Sequence, residues 1–376
     1  MHSMTQEQDP VVIGGVDAHA NTHHAAALDG RGALLGIRQF AATSAGYEQL
    51  WEWLSGFGRV EAVAVESSSS YAAGLTRALL AHGIEVAEVN QPHAHTRRRR
   101  GKSDAIDAET AARRYLTGEG IAIPKHTSGI VESIRMLRVA RQGAVKARTA
   151  AQLQARDLIT TAPQQLREQI LVRKTLRARL AICARFRPAD ASTPEHAAKF
   201  ALKVIAERVS ALDREIAVLD AQLEQLVSTT APRTMSLLGI STGHAGQFLV
   251  TAGQNIDRLG KGESSFAALC GASPIKASSG KTNRHRLNPG GDRQANRALH
   301  LVAVFRLGCC PRTQAYAARR TKEGRDGKDI IRCLKRAIAR EVYHALAADL
   351  TTPTPSVPYT AILCGSPGHG RSRGHT

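Results

Sequence analysis

Between Arg97 and Arg114 the chain reads RRRRGKSDAIDAETAARR. Asp104 and Asp107 are three residues apart, so on a helix their carboxylates share one face. Arg97, Arg98, Arg99, Arg100 and Lys102 stand immediately before them. Carboxylate oxygens are the natural ligands of Mg²⁺, which keeps several waters and completes its shell with substrate phosphate. A polycation beside such a pair would track a nucleic-acid backbone. The competing reading is an amphipathic surface helix whose Asp104, Asp107 and Glu109 offset basic neighbours.

Two more acids fall at places that could join the pair. Asp17 closes the apolar run VVIGGV, and Glu66 closes VEAVAVE. An aspartate at a strand end is also an ordinary turn residue. The elements that would position them follow from periodicity. Residues 11–16, the AAALD segment and ALLGIRQF, separated by a tight connection and by Gly30 and Gly32, predict three strands. Residues 44–58 predict a helix with Tyr47, Leu50, Trp51 and Leu54 on one face. VEAVAVE is a fourth strand. The serines at 67–70 are expected to cap a helix carrying Leu75, Leu79 and Leu80. IEVAEVN is a further strand, and the helix with the acid pair follows. Three strands, helix, strand, helix, strand and helix would bring Asp17, Glu66, Asp104 and Asp107 to one edge of a mixed sheet. That is a ribonuclease H-like α/β arrangement, in which four convergent acids would hold two metal ions.

A serine pair supplies a different chemistry. In SPIKASSGKTNRHRLNPGGDRQANRALH, Ser278 and Ser279 precede Gly280 and Lys281, and Arg284, His285, Arg286, Arg293 and Arg297 follow. A serine on a glycine-flanked loop amid cations suits attack on a phosphodiester, because the cations offset developing phosphorane charge. The competing reading is a loop that contacts phosphate without covalent chemistry. Just before it, FAALCG reads as a helix closed by Gly271.

The remaining elements bear on assembly. Residues 130–228 are rich in Ala, Leu, Arg and Gln, with apolar positions at helical spacing that include Ile134, Leu153, Val204, Val209, Ile216 and Leu223. This predicts a long hairpin or coiled coil, interrupted near Pro163, Pro188 and Pro194, with an apolar stripe expected to contact another subunit. Residues 235–255 suggest helix, turn, helix, with Ser241 where such a turn usually has glycine. Residues 301–348 read as helical, with Lys322, Arg325, Lys328, Arg332, Lys335 and Arg336 on a basic face. The tail 351–376 is expected to be disordered. The boundaries implied are 8–125 for the acid-bearing domain, 126–230 for the helical segment and 231–350 for the serine-bearing domain.

Charge and composition narrow the partners. Lys and Arg total 51 against 32 Asp and Glu, a net charge of +19, which calls for an anionic partner. No apolar run approaches a membrane span, and MHSMTQEQDP has no basic-then-apolar leader pattern, so a cytoplasmic protein is expected. Six cysteines with no C-x-x-C spacing argue against structural zinc and a disulfide framework. Aromatics at 4% argue against base stacking as the main binding mode. A sugar-kinase-type phosphotransferase would need a second glycine-rich phosphate hairpin, which is not found.

Taken together, GVDAHANTHHAAALD, AVAVESS, GKSDAIDAETAA, LLGIS, FAALCGASP and SSGKTNRHRLNPGGDRQANRALH resemble one family. It is the bridge-RNA-guided insertion-sequence transposases, with a RuvC-like N-terminal domain carrying a D-E-D-D tetrad and a C-terminal domain carrying a catalytic serine. The resemblance covers roughly residues 11–348. It implies a RuvC-like first domain, a coiled-coil middle and a mostly α-helical C-terminal domain. It implies DNA strand transfer with Mg²⁺ held by Asp17, Glu66, Asp104 and Asp107, and Ser279, at the family's Ser-Gly step, as nucleophile. It further implies donor and target DNA, a structured noncoding guide RNA and a homo-oligomer, dimer to tetramer, as partners. The readings that compete with it are a junction-resolving nuclease using the same acids with water, and a non-catalytic RNA- or DNA-binding protein.

Overall fold

The computed structural model describes residues 10–89, 103–188, 190–277, 285–286 and 288–351. The expected disordered tail, from residue 352 onward, lies outside them.

Strands β1 (Val11–Ala18), β2 (Thr22–Asp29) and β3 (Leu34–Ala41) form an antiparallel meander. β4 (Arg59–Glu66) pairs parallel with β1, β5 (Glu85–Val89) pairs parallel with β4, and β6 (Ile121–Ala122) closes the edge antiparallel. The six-stranded order is β3-β2-β1-β4-β5-β6. Helices α1 (Ser44–Ser55), α2 (Ala73–Ala81) and α3 (Asp104–Thr117) connect the strands. Alternation along each strand divides the two faces. Val12, Val16, Val63 and Val65 pack with Leu50, Leu54, Leu75 and Leu79 of α1 and α2. Ile13 and Leu28 meet Ala112 of α3 on the opposite face, and Ala64 and Val89 meet Ala111. The buried face of α3 is mostly alanine, so the helix seats close to the sheet. This is the mixed sheet with flanking helices expected of a ribonuclease H-like domain.

The serine run does not cap α2 as expected. The helix starts after Ala72 with no side-chain cap, and Ser67 to Ser70 form turns instead. Ser67 adopts φ 57°, and the Ser70 hydroxyl donates to its carbonyl at 3.2 Å. The chain must reverse sharply on leaving β4, and short hydroxyl side chains serve that turn locally. Of the leucines on α2, Leu75 and Leu79 are buried, with Thr76, while Leu80 is exposed.

Beyond the sheet, α4 (Ile130–Thr161) and α7 (Pro194–Thr230) form a long hairpin. Arg141 pairs with Asp220, and Arg148 with Asp213 at 2.8 Å, so the two arms run antiparallel. Pro163 precedes α5 (Gln164–Leu171) and Pro194 opens α7, positions where a missing N–H costs nothing. At the hairpin's far end α5 and α6 (Leu176–Cys183) cover a small core of Ala151, Ile159, Leu166, Ile170, Leu202 and Val209. Its near end belongs to another core. Val131, Ile134, Leu223 and Val227 join Phe248, Phe266, Leu299, Val302, Ile338 and Val342. The stripe therefore divides: Ile134, Val209, Ile216 and Leu223 are buried inside the chain, while Leu153 and Val204 stay exposed.

The C-terminal helices are α8 (Pro232–Met235), α9 (Thr242–Ala252), α10 (Glu263–Leu269), α11 (Arg293–Cys309), α12 (Pro311–Lys322) and α13 (Gly327–Thr351). Ser241 is the N-cap of α9 in a capping box with His244, which explains serine at this position. The left-handed residue of that turn is Gly239, at φ 80°. The basic face expected along 322–336 is not continuous. Lys335 lies on the core side of α13 and is buried, because Leu334 and Ile338 beside it face the same core. No helix among the described residues is long and apolar enough to cross a membrane.

Candidate active site

The C-terminal ends of the central strands β1 and β4, beside α3, carry two of the acids. Val16 of β1 pairs with Val65 of β4, so Asp17 and Glu66 follow as neighbours on parallel strands. Both belong to the alternate set that faces α3. Ser103 caps α3, its hydroxyl accepting from the Ile106 amide at 3.3 Å. This puts Asp104 and Asp107 in the first turn, where the positive end of the helix dipole favours carboxylates. Glu66 and Asp107 are buried, and Asp104 is the most open of the group.

Two histidines absent from the sequence-based set complete the cluster. His19 Nε2 is 3.3 Å from Asp17 Oδ2 and 3.4 Å from Asp104 Oδ2. His24, the cross-strand partner of Asp17, places Nε2 3.5 Å from Asp104 Oδ2. The signal was present in DAHANTHH: a tight β1–β2 turn returns His24 opposite Asp17 on the same face. His23, one residue away, points to the other side and stacks on Tyr47 at 5.6 Å. Burial lowers its pKa.

The electrostatics suit a divalent cation. Burial is the main cause that raises the Asp17 pKa; Asp107 and Asp104 raise it further, while His19 and His24 oppose them. Crowded carboxylates of this kind gain from a cation between them. Asp17, His19 and Asp104 each offer a ligand atom, all within 4.8 Å of one another. His19 Nε2 is sealed from solvent and makes no aligned hydrogen bond. Oxygen donors plus one orphaned imidazole nitrogen therefore fit such an ion.

The serine stretch is defined only at its base. Ser278, Ser279, Lys281 and Arg284, like Arg97, Arg98, Arg99, Arg100 and Lys102, lie outside the described residues. Short strands β7 (Ile275–Lys276) and β8 (His285–Arg286) pair across the stretch. Gly271 and Gly291 meet at its root: a Cβ on Gly291 would lie 2.3 Å from the Gly271 nitrogen. Asn296 donates to the carbonyls of Cys270 at 3.0 Å and Gly271 at 2.9 Å. Lys335 Nζ in turn donates to Asn296 Oδ1 at 2.8 Å. Asp292 accepts from Gln294 and Ala295 at the start of α11 and, through its other oxygen, from Thr251 at 2.7 Å. Arg286, Arg293 and Arg297 are exposed, with no acidic partner among the described residues.

Comparison with known families agrees with this layout. A transposase model of the IS110 family, of the DEDD type, matches residues 14–162, the sheet, its acids and the first hairpin arm. A second, described as transposase of the IS116/IS110/IS902 family, matches residues 231–318, which contain the serine stretch together with Gly271, Gly291 and Asn296 at its root. No curated protein matches the chain. The two matches follow one another in order, cover more than half of the chain and name one family between them. The chain thus belongs to the IS110 family of insertion-sequence transposases and is a DNA transposase.

Proposed function

We propose that this transposase cuts and rejoins DNA with a metal-binding tetrad of Asp17, Glu66, Asp104 and Asp107, and with Ser279 as nucleophile. The observation that supports it most is that Asp17 and Glu66 end adjacent central strands on the face covered by α3, whose first turn carries Asp104 and Asp107. A bound divalent ion, Mg²⁺ in this reading, supplies Lewis acidity at the scissile phosphate. Asp17, Asp104, Glu66 and Asp107 hold and orient it. The Ser279 hydroxyl attacks phosphorus: an Oγ–P bond forms, the P–O bond to one strand breaks, and the serine proton leaves with a base or the departing oxygen. Serine needs such activation, being a weak nucleophile at its free pKa. Donor and target DNA are selected by a structured guide RNA, a reading supported by the +19 charge and by the exposed Arg286, Arg293 and Arg297. The chain works as a dimer to tetramer, with Phe200, Val204 and Val218, exposed on α7, available for contact between copies.

The test is to trap the reaction on labelled DNA with guide RNA and Mg²⁺. A covalent protein–DNA adduct is expected, absent in Ser279→Ala and retained in Ser278→Ala. Asp104→Ala should abolish cleavage while RNA binding persists. DNA cutting without any adduct would overturn the serine assignment and favour a nuclease that uses water.

A further inference from the structure

We infer that His19 is a direct ligand of the divalent ion, through Nε2, and that this nitrogen biases the acid site toward imidazole-accepting ions such as Mn²⁺ over Mg²⁺. The inference rests on the proposal that Asp17 and Asp104 hold an ion.

Three observations carry it. His19 sits in the β1–β2 turn, where its backbone amide donates to the Thr22 carbonyl at 3.0 Å. That bond fixes the residue from which the ring projects. Its Nε2 then stands 3.3 Å and 3.4 Å from one oxygen of Asp17 and one of Asp104. Donors that share an ion at ~2.1 Å lie about 3.0–3.4 Å apart, so this separation is that of ligands around one centre. Finally, Nε2 is shielded from water and lacks an aligned hydrogen bond. A buried ring nitrogen without a partner is uncommon, and one facing two carboxylate oxygens is a vacant donor.

His24 has a different part. Its Nε2 approaches only Asp104, at 3.5 Å, and its ring meets that of His19 edge to face at 6.3 Å. Among the described residues it reaches Asp104 Oδ2 alone and no second carboxylate, the part of an outer partner that holds a metal ligand in place. The donor set is then carboxylate oxygens with one imidazole. Mg²⁺ favours oxygen and sheds its waters reluctantly, whereas later divalent ions accept imidazole readily.

The rival arrangement is an imidazolium that bridges the two aspartates as a counter-ion, and spectroscopy separates the two. The full-length chain, stripped of metal and loaded with one equivalent of Mn²⁺, is examined by electron spin echo modulation for directly bound ¹⁴N. A ¹⁴N coupling is expected in the wild type and in His24→Gln, and is expected to vanish in His19→Ala and His19→Gln. The affinity for Mn²⁺ should fall by roughly tenfold or more in His19→Ala, and the preference for Mn²⁺ over Mg²⁺ should fall with it. Thermal melts of both His19 variants check that the fold is kept. Bound Mn²⁺ without ¹⁴N coupling, or coupling that survives loss of His19, overturns the inference and leaves the acid site standing. Mn²⁺ binding unchanged in both Asp17→Asn and Asp104→Asn would overturn the acid site itself.

Discussion

Gly15 of β1 is in backbone contact with α3: a Cβ there would lie 2.2 Å from the Ala108 carbonyl oxygen and 2.5 Å from the Ala112 nitrogen. This close approach sets how near the first turn of α3, with Asp104 and Asp107, comes to Asp17. Gly15→Ala must push the helix outward, since the obstructing atoms are backbone and cannot rotate away. We expect a loss of about 1–3 kcal/mol in unfolding free energy, read by denaturant titration. Metal binding should weaken as well, because the two carboxylates on α3 move with it.

Asp17 allows a pH test. Its carboxyl titrates above the usual 3.8, chiefly through burial and then through Asp107 and Asp104. A carboxyl whose folded pKa is raised binds its proton more tightly when folded, so it costs stability once pH rises through that folded value. Asp17→Asn should therefore raise the melting temperature of the metal-free chain at neutral pH. The gain should shrink as pH falls below the ordinary carboxylate range, where both forms are neutral. Added Mg²⁺ should raise the melting temperature of the wild type and have little effect on the variant.

Asn296 and Lys335 form a unit beneath the serine stretch. Asn296→Ala removes two hydrogen bonds to Cys270 and Gly271 and leaves the buried Lys335 ammonium without its partner. A cost of about 2–4 kcal/mol is expected. Lys335→Met should cost less, since removing the ammonium also removes its burial penalty. In a double-mutant cycle the two changes should be clearly non-additive; additivity would show that the residues do not act together.

The hairpin separates apolar from ionic contributions. Leu202 is fully buried in the far core, and Leu202→Ala should cost about 2–5 kcal/mol. Arg148 pairs with a largely exposed Asp213 across the arms. Arg148→Ala should cost less than about 1 kcal/mol, and less still at high salt. Urea unfolding of both variants checks the ranking.

The positions of the acids were legible in the sequence because they depend on local rules. Alternation along β1 and β4 puts Asp17 and Glu66 on one face, and the S-D-x-x-D spacing sets a cap and two first-turn carboxylates on α3. The helical period likewise announced the hairpin arms, and the glycine after FAALC announced the end of α10. Each of these rests on interactions within a few residues, which the order of side chains encodes directly.

Contacts between distant segments needed the tertiary structure. His19 and His24 look like ordinary polar residues in a turn until β2 folds back beside β1 and α3 arrives over both. Lys335 reads as one more cation on a basic helix, yet packing turns it inward to meet Asn296. Gly15 is one small residue among several until the carbonyl of Ala108 is found against it. Serines that resembled a helix cap became turn residues because the chain had to reverse at Ser67. In each case the deciding partner lies far along the chain or depends on the path between elements. Sequence periodicity carries which face a residue occupies, while only the assembled fold decides what that face meets.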